Sequence, residues 1–263
     1  MRPLGRAAVA LALVTTAVAV VPARATAPSG CEWPAFGHDS GHSFAPSPGC
    51  SDITPANAPT LHPAWFFHTP DSVTASPTVA GGRVFVGSWD GTFYAFAAQP
   101  RPGPVAPLWT FAIHDANRTA FGRIVSSAAV TTVGGTQVVL FGGGATLYVL
   151  DAATGRELTS ACLDPRADPT VRCKGSDHDV EIESSPAVVR VGGATRVYVG
   201  TDVHNAGKVG RAGVVALRLS GAPVALQPLW KFDPEAGVAY RGPDLVTRGS
   251  GTCTAAAPTS TPN

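Results

Sequence analysis

The sequence predicts an all-β chain: a β-propeller of four-stranded antiparallel blades, incomplete, with about three whole blades in an open arc. Three observations predict it. A unit of about 50 residues recurs three times. Each unit splits into short runs whose apolar residues alternate at period two. Glycine pairs fall between the runs at hairpin spacing. The copies run "SPTVAGGRVFVGSWDGTFYAFAA" from Ser76, "SSAAVTTVGGTQVVLFGGGATLYVLDAATG" from Ser126 and "SSPAVVRVGGATRVYVGTDVHNAGKVGRAGVVALRLSGA" from Ser184. Ser76, Ser127 and Ser185 mark equivalent starts, 51 and 58 residues apart.

In the first unit "SPTVA" is a strand, Gly81-Gly82 a two-residue turn, "RVFVGS" a strand and "WDG" a second turn. "TFYAFAA" and, after a Pro-rich loop, "PLWTFAI" complete four strands. The second unit repeats the order with "SSAAVTTV", Gly134-Gly135, "TQVVLFG", "TLYVLD" and "RELTSACL". The third gives "SSPAVVRV", Gly192-Gly193, "TRVYVGT", "GVVALRL" and "LQPLWKFD". Each unit has apolar positions on both sheet faces, which only stacking against neighbours buries. "LHPAWFFHTP", from Leu61, reads as an orphan fourth strand. Trp65, Trp109 and Trp230 are expected on outer strands, and Ser76, Ser127 and Ser185 at the starts of innermost strands. Asp90 and Asp151 read as turn residues.

Composition agrees. Of 263 residues, 44% are hydrophobic and only 14% charged, enough to pack a core and too apolar for a disordered chain. The net charge of +1, with no basic run, argues against a nucleic-acid partner. Residues 1–25 open with two arginines in "MRPLGR", then carry a 15-residue apolar run and the small-residue site "ARA", the pattern of a cleaved signal peptide. A cut after Ala27 and a retained anchor are the alternatives. Cleavage would leave no transmembrane anchor, in a secreted, periplasmic or cell-envelope protein. Residues 26–60 are expected to be irregular, 61–249 to hold the repeats and 250–263 to be a disordered tail. Export permits disulfides. Local spacing pairs Cys31 with Cys50 and Cys162 with Cys173, leaving Cys253 over; no zinc or haem spacing competes.

The succession "SSPAV", Gly-Gly, "RVYVG", "LYVLDAATG" and "PLWKF" resembles the repeats of the pyrroloquinoline-quinone (PQQ)-type β-propeller family, the quinoprotein alcohol dehydrogenase-like proteins. "WPAFGHDSGHSFAPSP", from Trp33, resembles the segment before the first blade in exported members. The resemblance covers most of residues 33–234 and points to a truncated member. It implies either a non-catalytic propeller or a dehydrogenase that holds PQQ and calcium at the channel mouth. The chain departs from the family at Thr159, where a Trp usually wedges between blades. "YAFAAQPRPGPVAP" replaces the usual Asp-Ala-x-Thr-Gly turn, and the adjacent cysteine pair of some dehydrogenases has no counterpart.

Loops leading into the innermost strands reach that mouth, and they are polar: His68 and Asp71; His114, Asp115, Asn117, Arg118 and Arg123; then "SDHDVEIE"; then Tyr240, Arg241, Asp244 and Arg248. The acidic loop is the richest. If extended, it puts Asp177, Asp179, Glu181 and Glu183 on one face. It is a solvated loop, a calcium or ligand site, or the partner of Arg118 and Arg123. His38 and His42 read as a surface loop before a metal site. Two functions compete: a binding or scaffold propeller of the cell envelope, for an unknown protein or small-molecule ligand, and a quinoprotein-type dehydrogenase acting on alcohols or polymer alcohols, or a fragment of one.

Overall fold

The computed structural model describes residues 31–98, 105–115, 123–163, 173, 180–203, 213–233 and 238–241. The predicted signal peptide, Arg118, Asp177, Asp179, Cys253 and the predicted disordered tail lie outside them. Among the described residues there are fourteen strands, one 3₁₀ turn (Ala58–Thr60) and no α-helix.

The first sheet is a four-stranded meander of β1 (Thr78–Ala80), β2 (Arg83–Gly87), β3 (Thr92–Ala97) and β4 (Trp109–Ala112). The second repeats it with β5 (Ala129–Val133), β6 (Thr136–Gly143), β7 (Thr146–Asp151) and β8 (Glu157–Cys162). The short β9 (Val180–Glu181) precedes the third, made of β10 (Ala187–Val191), β11 (Ala194–Val203), β12 (Gly213–Ser220), β13 (Ala225–Asp233) and β14 (Val238–Arg241). All pairings are antiparallel. The third blade therefore exceeds the expected four strands: β14 extends its outer edge and β9 pairs the end of β11.

The recurrent glycine pairs explain the register. Gly81-Gly82, Gly134-Gly135 and Gly192-Gly193 all have positive φ, between 56° and 79°. Two successive left-handed residues make a type I′ turn, which only glycine enters without strain. Each turn closes the first hairpin of its blade at Ala80–Arg83, Val133–Thr136 and Val191–Ala194.

The sheets stack face to face. Phe85, Phe93 and Ala95 of the first blade pack on Val139, Phe141, Tyr148 and Leu150 of the second. At their centre Phe93 and Phe141 are parallel, 3.9 Å apart. The opposite face of the second blade, with Val138, Leu140, Leu147 and Val149, packs on Val197, Val199, Val215 and Leu217 of the third. Successive side chains of β6 and β7 thus serve different neighbours, and both strands are buried on both faces. Thr159 pairs with Val149, as Trp109 pairs with Ala95 and Trp230 with Ala216. In place of an aromatic wedge, the second and third blades share an all-aliphatic core, with Leu158 against it.

Two expectations need correction. Leu61 to Phe67 forms no strand. Instead the rings of Trp65 and Phe67 lie 5.5 and 5.1 Å from Phe96, and Phe67 also meets Tyr94 at 5.6 Å. Phe111 meets Tyr148 at 5.5 Å between the first two blades, so Phe67 reproduces an outer-strand contact without the strand. With no described strand beside it, the segment has no ladder to join. Ser76, Ser127 and Ser185 do not begin the innermost strands but stand two residues ahead of them. Their polar groups bond to the neighbouring blade rather than to their own sheet.

Candidate functional site at the blade axis

Those serines form a ladder. The Ser76 amide donates to Ser127 Oγ at 2.8 Å, and the Ser127 amide donates to Ser185 Oγ at 3.2 Å. The next blade's hydroxyl accepts from the preceding blade's backbone, which turns a sequence repeat into a row of hydroxyls around the axis. Thr78 Oγ1, donating to the Ala128 carbonyl at 2.9 Å, adds a second rung. Sequence spacing had marked the three positions as equivalent, but not their bonding across blades.

The N-terminal segment runs along this axis. Trp33 and Val79 exchange backbone hydrogen bonds of 2.8 and 2.9 Å, Glu32 accepts from the Gly81 amide at 2.7 Å, and the Val130 amide donates to the Pro34 carbonyl at 2.7 Å. The segment so covers the inner edges of β1 and β5. Cys31 and Cys50 are bonded, as expected, with Cα atoms 4.9 Å apart. Cys162 and Cys173 are bonded too, and both are buried.

Beyond Pro34 the chain turns over a cavity of about 470 Å³ between the three blades. One wall is Phe36, Asp39 and His42; the other carries Glu183, Ser185 and Val188, with Ser127 of the ladder also lining the space. The Asp39 carboxylate accepts from Ser43 Oγ at 2.6 Å and from the Gly41 amide at 2.8 Å, and His38 Nδ1 lies 3.2 Å away. The Ser43 hydroxyl and His38 hold Asp39 well below the usual carboxylate range. This Ser–His–Asp trio is not a nucleophilic one. Ser43 donates its hydrogen bond directly to the carboxylate, and the same His38 nitrogen faces both partners, so no imidazole stands ready to activate the hydroxyl. Phe36, His42 and Phe44 close into a cluster of edge-to-face rings 5.6 to 6.1 Å apart.

Of the predicted site residues, Glu181, Glu183 and Arg123 are described. Glu181, in β9, is 2% exposed, too buried for a solvated acidic loop. Glu183 reaches the axial cavity. Arg123 lies against the first blade: a Cβ on Gly91 would come within 2.7 Å of its Cδ, and its backbone links the Trp89 carbonyl to the Gly144 amide. Asp177, Asp179 and Arg118 are outside the described residues.

Other carboxylates hold turns. Asp115 Oδ2 accepts from the Ala145 amide at 3.0 Å and from Thr146 Oγ1 at 2.8 Å, and the Asp115 amide donates to Tyr148 Oη. Asp90 accepts from the Thr92 amide and from Tyr94 Oη, the latter at 2.7 Å. Burial and then the Asp90 carboxylate push the Tyr94 phenol up to about 12, and burial raises Tyr148 further. Asp151 caps its own turn through the Ala153 and Thr154 amides. His114 Nε2 and Glu157 Oε2, 3.0 Å apart, clip the first blade to the second.

PQQ with calcium needs carboxylate oxygens convergent on a hard cation beneath a flat ligand. Among the described residues no group of three His, Cys, Asp or Glu side chains converges. Asp90, Asp115 and Asp151 already serve backbone amides, and the aromatic cluster of the N-terminal segment occupies the axial side. The described residues by themselves supply no such set, and Asp177 and Asp179 of the predicted site lie outside them.

With the fold and the mouth in view, the relationships are clear. A PQQ-repeat family model described as outer membrane protein assembly factor BamB matches residues 52–213, more than half of the chain. The chain belongs to this family of β-propeller repeats. Polyvinylalcohol dehydrogenase of a Pseudomonas species is 32% identical over 135 residues, which is 51% of this chain and 19% of that protein. The chain thus spans about a fifth of that relative's length. Quinohemoprotein alcohol dehydrogenase from Comamonas testosteroni superposes with a TM-score of 0.54 at 23% identity, over 80% of this chain and 28% of that one. A europium-containing methanol dehydrogenase gives 0.52 at 19% identity, over 79% and 33%. At such identities these likenesses establish the fold alone.

Proposed function

We propose that this chain is an exported, non-catalytic binding or scaffold module of the cell envelope. The observation that carries the reading is the use of two carboxylates. Asp90 is engaged by the Thr92 amide and the Tyr94 hydroxyl of its own blade, and Asp115 by the Ala145 amide and the Thr146 hydroxyl of the next, so these two carboxylates are spent on holding turns. Two disulfides, Cys31–Cys50 and Cys162–Cys173, support an oxidising compartment.

Titration of the purified full chain with PQQ and calcium, followed by absorbance, tests the reading. The expected result is no saturable binding and no dye reduction with a primary alcohol or polyvinyl alcohol. Submicromolar binding with alcohol-dependent dye reduction would instead favour the second reading, a quinoprotein-type dehydrogenase or a piece of one, which the resemblance to polyvinylalcohol dehydrogenase supports. Export is checked by expressing the chain with its own N-terminus and sequencing the processed product; the expected first residue is Thr26.

A further inference from the structure

Register aligns the three blades row by row. The cross-strand pairs Phe85–Ala95, Leu140–Val149 and Tyr198–Ala216 are equivalent, and Phe93, Leu147 and Val214 stand one row further on. In the first two blades these residues are fully buried against the next blade. In the third, Val214 and its cross-strand partner Phe232 are exposed, and no described strand stacks on them. Tyr198 and Trp230 flank Ala216 on the same face, their rings 5.9 Å apart.

The row nearer the Gly192-Gly193 turn differs between blades. It reads Arg83–Ala97 in the first and Val138–Asp151 in the second, but Arg196–Arg218 in the third, with Gln227 beside Arg218. Val197, Leu217 and Leu219, the neighbours of these arginines along the strands, face the second blade, so Arg196 and Arg218 lie on the outer face. Like charges directly opposite on neighbouring strands repel. Among the described residues neither guanidinium has a hydrogen bond or an ion pair. Beneath them β11 and β12 are each paired on both sides, so the face offers side chains and no backbone edge. An occupant therefore brings its own backbone already bonded. A second copy of this face would set four arginines against one another.

We infer that this outer face docks an acidic amphipathic helix of a partner protein, with apolar side chains against Tyr198, Val214, Trp230 and Phe232 and carboxylates on Arg196 and Arg218. Charge complementarity selects the acids, since a guanidinium holds a carboxylate through two parallel hydrogen bonds. Continuity with the two interfaces between blades selects the apolar part, because the same rows are core there. The four strands β10 to β13 lie side by side. At about 4.8 Å per strand they span about 14 Å, the length of a helix of about ten residues. This inference rests on the binding-module reading and names the chemistry of its partner.

The probes are blocked, lactam-stapled helical peptides of about 14 residues, with leucine on one face and glutamate beside it. One analogue has lysine for glutamate and another serine for leucine, and binding is read by fluorescence anisotropy on the full chain. The leucine–glutamate peptide is expected to bind saturably, and both analogues at least about tenfold more weakly. Arg196→Gln with Arg218→Gln should weaken it by a similar factor. Arg190→Gln is the control: Arg190 is also exposed, but it pairs with the buried Thr195 on the other face of the sheet, and its loss should change nothing. If the double variant fails to fold, the lysine peptide asks the same question from the ligand side. No saturable binding up to about 1 mM, equal binding of either analogue, or an equal loss with Arg190→Gln overturns the inference. Sedimentation with phosphatidylglycerol vesicles that needs Arg196 and Arg218, without peptide binding, overturns it in favour of a lipid surface. Each of these results leaves the quinone titration standing as a separate test of the binding-module reading.

Discussion

The second and third blades share one strand plan but differ in their surroundings. In the second, β6 and β7 bury side chains on both faces. In the third, β12 alternates buried with exposed: Val215, Leu217 and Leu219 face the second blade, while Val214 and Arg218 look outward. The outward face matches the one the first blade buries. Val214 and Phe232 form a cross-strand pair in the third blade where Phe93 and Phe111 do in the first, yet Phe93 is 0% and Val214 37% exposed. Trp230 meets Tyr198, whereas Trp109 lies against the next blade and donates to the Ala152 carbonyl. One repeat thus yields a core or a surface according to what stacks on it.

The comparison is broken most directly by truncating the equivalent positions. Phe93→Ala removes a stacked ring from between two blades and should cost about 3–5 kcal/mol in denaturant unfolding. Val214→Ala, on the open face, should stay within about 0.5 kcal/mol. Equal costs would mean that the outer face of the third blade is covered in solution.

The Cys162–Cys173 bridge comes next. It closes a separation of 11 residues, and its loss should cost about 3 kcal/mol through the entropy of the unfolded chain. Because both sulfurs are buried, Cys162→Ser with Cys173→Ser should lower the melting temperature more than the same change at Cys31 and Cys50.

Gly155 and Gly193 sharpen the contrast further. Both have left-handed φ, 74° and 77°, so alanine carries about 1–2 kcal/mol of backbone cost at either. At Gly155 the new Cβ would also stand 2.5 Å from the Trp109 ring, whereas nothing lies within 4 Å at Gly193. Thermal melts should therefore show Gly155→Ala as the more damaging, and the excess reports the contact between blades.

The smallest effect is absent at neutral pH. Unfolded tyrosines ionise near 10, while Tyr94 stays neutral to about 12 and Tyr148 further still. Above pH 10 the unfolded state binds fewer protons than the folded one, so stability falls as pH rises. Tyr94→Phe should flatten that decline in melts taken between pH 8 and 11.

Much of the fold was legible because its signals are local. Period-two alternation and paired glycines with obligatory positive φ placed the strands and their first hairpins. The cysteine pairs were legible from short separations. The site was less so. Glu183 was singled out, but for a carboxylate cluster rather than for the cavity it lines, and Asp39 and Ser43 gave no pattern of their own. Leu61 to Phe67 misled because its aromatic alternation is that of an outer strand, and only a neighbouring strand could make it one.

By itself the sequence determined the repeat, its four-strand order, its turns and its two disulfides, since each follows from residues close along the chain. The tertiary structure alone decided that the serines link one blade to the next and that the N-terminal segment covers the inner edges of β1 and β5. These depend on contacts between residues about 50 apart or more, whose partners are set by how the blades stack and not by any local propensity.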